Sequence, residues 1–215
     1  MTFNPNILQL YFIMGSQNTT LDPLFVLKEA IKGGITCFQY REKGFSAKIG
    51  IDKKNLGKEL RDLCWRHDIP FVVNDDVELA IELEADGIHI GQDDAPIEEV
   101  RKVIPSHCFI GLSTSTVKES LNAEKRGADY IGVGPIYPTQ TKTDALDPIG
   151  VSGFKEIKRH ISIPAVAISG INEDTARPLY EQGADGIAVV SAISQASDPL
   201  LATQVLKKIA KRYQV

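Results

Sequence analysis

Three short segments of this chain repeat one another: Glu84-Ala85-Asp86-Gly87-Ile88, Gly127-Ala128-Asp129-Tyr130-Ile131 and Gly183-Ala184-Asp185-Gly186-Ile187. Each joins the end of a helical pattern to an apolar run. Glycine at a helix C-cap, a small residue and an aspartate make a tight turn from helix into strand. Working outward from these turns, buried strands are expected at 10–14, 35–40, 71–73, 87–90, 108–112, 130–133, 164–168 and 186–190. Helical patterns follow them at 23–33, 47–67 (with 44–50 expected as loop or a frayed first turn), 77–83, 97–103, 117–125, 151–159, 172–182 and 201–212. Asp22-Pro23 opens the first with an N-cap and a proline, and Gly33-Gly34 stops it. Eight strand–helix units are what a TIM barrel requires, so the expected fold is a single α/β domain over 1–215, a (β/α)8 barrel with no linker or second domain. A doubly wound sheet shows the same alternation, but only the barrel uses all eight units and leaves none over.

Chemistry in such a barrel collects where the strands end. The third expected strand runs out in Val73-Asn74-Asp75-Asp76 and the fourth in Gly91-Gln92-Asp93-Asp94. Aspartates after a strand are ordinary helix caps. Their paired recurrence on neighbouring strands favours another reading, in which Asp75 and Asp94 face one cavity. Carboxylates held together repel unless a cation lies between them, and Mg²⁺ takes one or two carboxylates plus phosphate oxygens.

The other strand exits add anion-binding groups. Alternation turns Gln39, Arg41 and Lys43 to one side, a clamp for a diphosphate unless the loop is merely a solvated charged one. After the fifth strand come Ser113, Thr114, Ser115 and Thr116, of which Ser115 or Thr114 is expected to cap the next helix and leave Ser113 facing the cavity; capping alone would also account for the cluster. The long stretch from Gly132 to Lys142 carries two prolines, then hydroxyls and a lysine suited to phosphate. Ser169-Gly170 and Val190-Ser191 end the last two strands, where small residues let backbone N–H groups approach a phosphate. Two anionic sites across one mouth result, one of them with metal.

Composition narrows the field further. With net charge −4 and no long basic run, nucleic acid is not an expected partner. Met1 to Gln9 has neither a basic region nor an apolar run long enough for a signal peptide or membrane span. Cys37, Cys64 and Cys108 lack CxxC spacing and sit among apolar residues, which suits reduced packing residues in a cytoplasmic protein. His89, inside a strand, reads as a hydrogen-bonded core histidine, and Trp65 is expected on the inner face of its helix. No lysine lies mid-strand for Schiff-base chemistry, and no Ser-His or Cys-His pair suggests a nucleophile.

The motifs Q-Y-R-E-K at 39–43, V-N-D-D at 73–76, H-I-G-Q-D-D at 89–94, G-P-I-Y-P-T-x-T-K at 134–142 and S-A-I-S at 191–194 occur in this order. Over nearly its whole length the chain resembles the thiamine-phosphate synthases. The resemblance implies joining a pyrimidinylmethyl diphosphate to a thiazole phosphate, with release of pyrophosphate and formation of thiamine monophosphate. It implies one Mg²⁺ on Asp75 and Asp94, and a pyrimidine diphosphate held by Gln39, Tyr40, Arg41, Glu42, Lys43, Asn74, Ser113 and Lys142. Thr139, Gln140, Thr141, Gly170, Val190 and Ser191 would hold the thiazole phosphate, and Arg41, Lys43, Ser113 and Lys142 would act in the chemical step. By the same resemblance the C–O bond to diphosphate breaks before the C–N bond forms. The two substrates are the partners expected; association into a homo-oligomer is left open. Two positions depart from the family pattern: Ser169, where a second glycine is common, and Ser115, where a histidine is often found. Ordinary dihedrals at Ser169 would leave the phosphate contact intact. The rivals are a thiazole tautomerase, which needs a base in the cavity and no metal, and a non-catalytic phosphate-binding barrel.

Overall fold

A computed structural model describes residues 3–139 and 147–213. Eight strands run parallel: β1 (Leu10–Met14), β2 (Cys37–Tyr40), β3 (Phe71–Asn74), β4 (Gly87–Ile90), β5 (Phe109–Thr114), β6 (Tyr130–Val133), β7 (Ala165–Ile168) and β8 (Gly186–Val189). Each pairs with the next and β8 returns to β1, closing a barrel. The helices are α1 (Pro23–Gly33), α2 (Gly50–Trp65), α3 (Val77–Glu82), α4 (Ile97–Val103), α5 (Val117–Lys125), α6 (Gly150–His160), α7 (Ala176–Glu181), a short α8 (Ser191–Ser194) and α9 (Pro199–Lys211). The fold is the (β/α)8 barrel, and α8 is an insertion that the hydrophobic period does not reveal because it is a single turn.

The repeated turns explain why strands and helices alternate so tightly. Asp86, Asp129 and Asp185 each donate their backbone N–H to the first residues of the preceding strand, at the carbonyls of Phe71 (2.9 Å), Ile110 (2.8 Å) and Ala165 (3.0 Å). Their carboxylates accept the N–H of those same three residues at 2.8, 2.7 and 2.8 Å. Each aspartate thus pins the start of its own strand to its neighbour's and satisfies an N–H that has no ladder partner. Asp129 also pairs with Arg101 and Asp185 with Lys158. These turns lie at the opposite end of the barrel from the acidic strand exits.

Side chains divide by parity. Outward residues such as Phe12, Phe38, Tyr40, Phe71, Val73 and Ile88 pack against the helices in the larger core cluster. Inward residues, Tyr11, Ile13, Cys37, Val72, Tyr130, Val166 and Ala188, fill the barrel itself with Leu8, and Phe3 closes its lower end by stacking on Tyr130 (centroids 6.0 Å apart).

The stretch before α2 is loop, as expected for residues 44–50: Ser46 at φ 63° and the extended Ile49 keep it out of helical geometry, and α2 starts at Gly50. Two expectations are corrected. Residues 172–175 form a turn before α7, since the Asn172 carboxamide accepts the N–H groups of Asp174 and Thr175 and so competes with helix formation. Trp65 is 72% exposed. The buried face of α2 is Leu56, Gly57, Leu60, Leu63 and Cys64, and one further residue turns about 100° off that face.

Candidate active site

At the β2 exit, parity separates the five residues of the 39–43 motif. Gln39 points into the barrel, is 2% exposed, and donates to the Tyr11 hydroxyl at 2.9 Å. Tyr40 faces outward into the helical layer and its hydroxyl donates to the Lys53 carbonyl at 2.9 Å. Glu42 is buried under the following loop, where it accepts from the Ser16 N–H (2.8 Å), the Ser16 hydroxyl (2.6 Å) and the Lys48 N–H (2.7 Å). Tyr40 and Glu42 therefore brace the loop from behind, while Arg41 and Lys43 remain toward the mouth. The Arg41 and Lys43 carbonyls are both tied by the Gln17 amide.

The two acidic pairs split between the capping and cavity readings. Asp76 is the N-cap of α3: it accepts the Leu79 N–H at 3.0 Å and pairs with Lys53 at 2.7 Å. Its pKa is lowered, because Lys53 and the Leu79 N–H outweigh the upward push of burial. Asp75 does something else. It takes a left-handed backbone (φ 52°), donates its N–H to the His89 carbonyl at 2.8 Å, and sets its carboxylate on the Lys43 ammonium. Asp94 accepts the Gly91 N–H at 2.6 Å, whereas Asp93 is exposed. The hydrogen bond to Asp75 raises the Lys43 pKa most, against burial; the charges of Asp75 and Asp94 add to it and that of Arg41 subtracts. Lys43, Arg41, Asp75 and Asp94 consequently act within one electrostatic field.

That arrangement fits a cation. An ammonium already stands on Asp75 in the field of Asp94, so the donor set stabilises positive charge. Among the described residues no three His, Cys, Asp or Glu side chains cluster to hold a metal. A hard ion on Asp75 and Asp94 would complete its oxygen shell from a ligand and water, which is how Mg²⁺ binds phosphates.

Beside them, Asn74 ends β3 in register with His89. Ser113 bonds His89 Nε2 through its hydroxyl at 2.9 Å and accepts the Gln92 amide on its carbonyl at 2.6 Å. The cap of α5 is Thr116, which accepts the Glu119 N–H at 3.1 Å, rather than Ser115 or Thr114. Ser115 N–H donates to the Glu119 carboxylate and Thr114 points outward to Ser120. His89 is the bonded core histidine expected, joined through Nδ1 to the Tyr130 hydroxyl at 2.9 Å. The part played by Tyr11 and Tyr130 is new; their polar ends at inward positions were the only signal available.

Across the mouth, Gly170 (φ 68°) packs so closely that a Cβ would come within 2.6 Å of Tyr137 Cβ and 2.8 Å of the Pro138 carbonyl. Ser169 has φ 87°, so the condition of ordinary dihedrals is not met; its carbonyl accepts the Tyr137 N–H at 3.1 Å. Val190 precedes α8, and the N–H groups of Ser191 and Ala192 have no partner among the described residues. Thr139 ends the described part of its loop; Gln140, Thr141 and Lys142 lie outside the described residues.

The family model for thiamine monophosphate synthase matches residues 10–193. A thiamine-phosphate synthase of Bacillus velezensis is 49% identical over 208 residues, 96% of this chain and 92% of that protein. That of Bacillus licheniformis is 50% identical over 204 residues, 94% of this chain and 91% of that protein. The solved thiamine phosphate pyrophosphorylase from Pyrococcus furiosus superposes with a TM-score of 0.89 at 37% identity, covering 98% of this chain and 99% of that one. A geranylgeranylglyceryl phosphate synthase from Thermoplasma acidophilum, at TM-score 0.68 and 15% identity, shares the fold alone.

Proposed function

Because the chain belongs to the thiamine monophosphate synthase family, we propose that the groups gathered at the ends of β2 to β5 bind and release a diphosphate while those after β7 and β8 hold a second phosphate. The activity is that of thiamine-phosphate synthase, a transferase that joins a pyrimidinylmethyl diphosphate to a thiazole phosphate and yields thiamine monophosphate and pyrophosphate. The observation that carries the site reading is the Lys43–Asp75 ion pair across the exits of the paired strands β2 and β3, with Asp94 following the neighbouring β4, at the end of the barrel where catalysis belongs.

In this reading Gln39, Asn74 and Ser113 line the pyrimidine, and Arg41 and Lys43 bind its diphosphate, joined by Lys142 from the motif. Tyr40 and Glu42 support these contacts through the loop they brace. Asp75 and Asp94 would hold one Mg²⁺, which when bound supplies charge neutralisation to the diphosphate oxygens. The C–O bond breaks with its electron pair leaving on pyrophosphate, and Arg41 and Lys43 stabilise the charge that grows there. The electron-rich aminopyrimidine spreads the positive charge left on its methylene. The thiazole nitrogen then donates its lone pair to that carbon, positioned by a phosphate on Gly170, Val190 and Ser191 with Thr139, Gln140 and Thr141 from the motif. No side chain serves as nucleophile.

No described helix is long and apolar enough to cross a membrane. We place the enzyme in the cytoplasm, a reading supported by three free, buried cysteines. The decisive experiment mixes the protein with both substrates and Mg²⁺ and follows pyrophosphate and thiamine monophosphate together. Equal rates in EDTA would reject the metal assignment, and absence of both products would reject the reading as a whole.

A further inference from the structure

Five polar side chains from five different strands join inside the barrel. Gln39 Nε2 donates to the Tyr11 hydroxyl (2.9 Å), which meets the Tyr130 hydroxyl (3.0 Å); that meets His89 Nδ1 (2.9 Å), and His89 Nε2 meets Ser113 Oγ (2.9 Å). Both ends, Gln39 and Ser113, belong to the pyrimidine site proposed above, and Tyr11, Tyr130 and His89 join them. Tyr11 and Tyr130 are 2% and 0% exposed, and burial chiefly pushes both phenols well above their usual pKa, so each keeps its proton.

We propose that this chain is a one-way hydrogen-bond relay in which Gln39 sets the tautomer of His89 and thereby makes Ser113 a donor toward the bound pyrimidine. The argument is one of counting protons. A phenol that accepts from Gln39 must spend its own proton onward, and the next acceptor in line is Tyr130, whose proton goes to His89 Nδ1. The Cys37 thiol also lies against Tyr11, but it donates to the Pro70 carbonyl (3.6 Å) and its sulfur is a weak acceptor. With Nδ1 accepting, a neutral imidazole carries its proton on Nε2 and gives it to Ser113 Oγ. The serine hydroxyl proton is then turned outward. Reversing Gln39 reverses every bond and turns that proton inward. Each bond polarises the next, so the chain holds one direction.

The two ends are therefore complementary. While Gln39 spends its amide N–H inward, it shows its carbonyl oxygen to the cavity, and Ser113 shows a donor. An aminopyrimidine offers the matching pair, an amine N–H and a ring nitrogen acceptor; an oxo-pyrimidine with a ring N–H offers the reverse. Gly111 makes room for the relay: a Cβ there would fall 2.1 Å from Tyr130 Cζ and 2.4 Å from its hydroxyl. Tyr11, Tyr130 and His89 are on this view positioning residues. The proposal rests on the pyrimidine placement above, and its test separates the two.

The His89 tautomer can be read in the whole protein by long-range ¹H–¹⁵N correlation, with the His89 signals assigned by their loss in His89→Asn. The expected state is protonated Nε2 and bare Nδ1; the opposite tautomer, or protons on both nitrogens, overturns the relay. In Gln39→Glu the carboxylate accepts from Tyr11, the direction reverses, and the proton should move to Nδ1. In the Tyr11→Phe background the same change should leave Nε2 protonated. A tautomer unmoved by Gln39→Glu, or one moved equally with Phe at 11, overturns the proposal, the latter because the charge would then act through space. Should Gln39→Glu not fold, Tyr11→Phe carries the test: it frees the Gln39 amide to turn, so kcat/KM for the pyrimidine diphosphate should fall about tenfold while KM for the thiazole phosphate stays. No change in that ratio overturns the proposal. A tautomer that switches as expected while Gln39→Glu leaves pyrimidine kinetics untouched would overturn the pyrimidine placement, and with it the relay's role.

Discussion

Asp75→Asn tests the acidic pair with little else disturbed. Asparagine tolerates the left-handed backbone at φ 52°, and the bond from its N–H to the His89 carbonyl is unaffected. What is lost is one negative charge. The Lys43 side chain is 54% exposed, so its pairing with Asp75 contributes only about 0–1 kcal/mol to stability, and the unfolding midpoint should move by no more than about 4 °C. The cost to a bound divalent ion is larger. Two unit charges about 4 Å apart attract by about 4 kcal/mol at an effective dielectric near 20, and a doubly charged ion by about twice that. Desolvation of ion and carboxylate cancels much of this, leaving about 3 kcal/mol, or roughly a hundredfold in affinity. Initial rates of pyrophosphate release measured across a Mg²⁺ titration should show half-saturation displaced upward by about that factor. Thiazole phosphate binding by calorimetry should be unchanged, since Gly170 and Ser191 lie across the mouth. Superimposable Mg²⁺ curves for the two proteins would refute the reasoning, and so would a loss confined to thiazole phosphate affinity.

Ser169→Gly should stabilise the protein: relief of a non-glycine residue at φ 87° returns about 1–2 kcal/mol, glycine's freedom in the unfolded chain takes back about 0.4–1 kcal/mol, and a higher urea midpoint would register the difference. Gly111→Ala should cost about 1–3 kcal/mol through the collision with the Tyr130 ring, read as a lower midpoint in the same titration. Asp76 has a depressed pKa, so its contribution is present above the unfolded value near pH 4 and is lost as pH falls through the folded one. Asp76→Asn keeps the cap of α3 but should lose that charge-dependent part at neutral pH, and its stability should converge on the parent's as pH falls below about 4, which flattens the acid limb.

Much of this molecule was legible before any coordinates. Local patterns are set by neighbours in the chain, so the aspartate-bearing turns, the eight apolar runs and the parity of residues 39–43 could be read directly. Parity alone placed Gln39, Arg41 and Lys43 on one side, and the buried Tyr40 and Glu42 stand opposite. The errors fall where two local solutions differ by little energy. Thr116 rather than Ser115 caps α5, Asn172 forms a turn instead of opening a helix, and Trp65 sits one residue past the buried face of α2. Ser169 adopts a conformation that composition does not announce, at a point where its carbonyl is bonded by the Tyr137 N–H of another loop.

The chain by itself therefore determined the barrel, the end at which its polar groups gather and the chemistry those groups suit. Closure of the sheet decided the rest. Only when β8 meets β1 do inward side chains from distant strands face one another, so that Tyr11 reaches Tyr130 across 119 residues and His89 lies between Tyr130 and Ser113. Likewise, the division of roles within the first acidic pair follows from backbone geometry: the left-handed turn at Asp75 carries its carboxylate to Lys43 and leaves Asp76 to cap the helix. A linear pattern specifies the face on which a side chain lies; the partner it meets there depends on distances that exist only after the strands have come round.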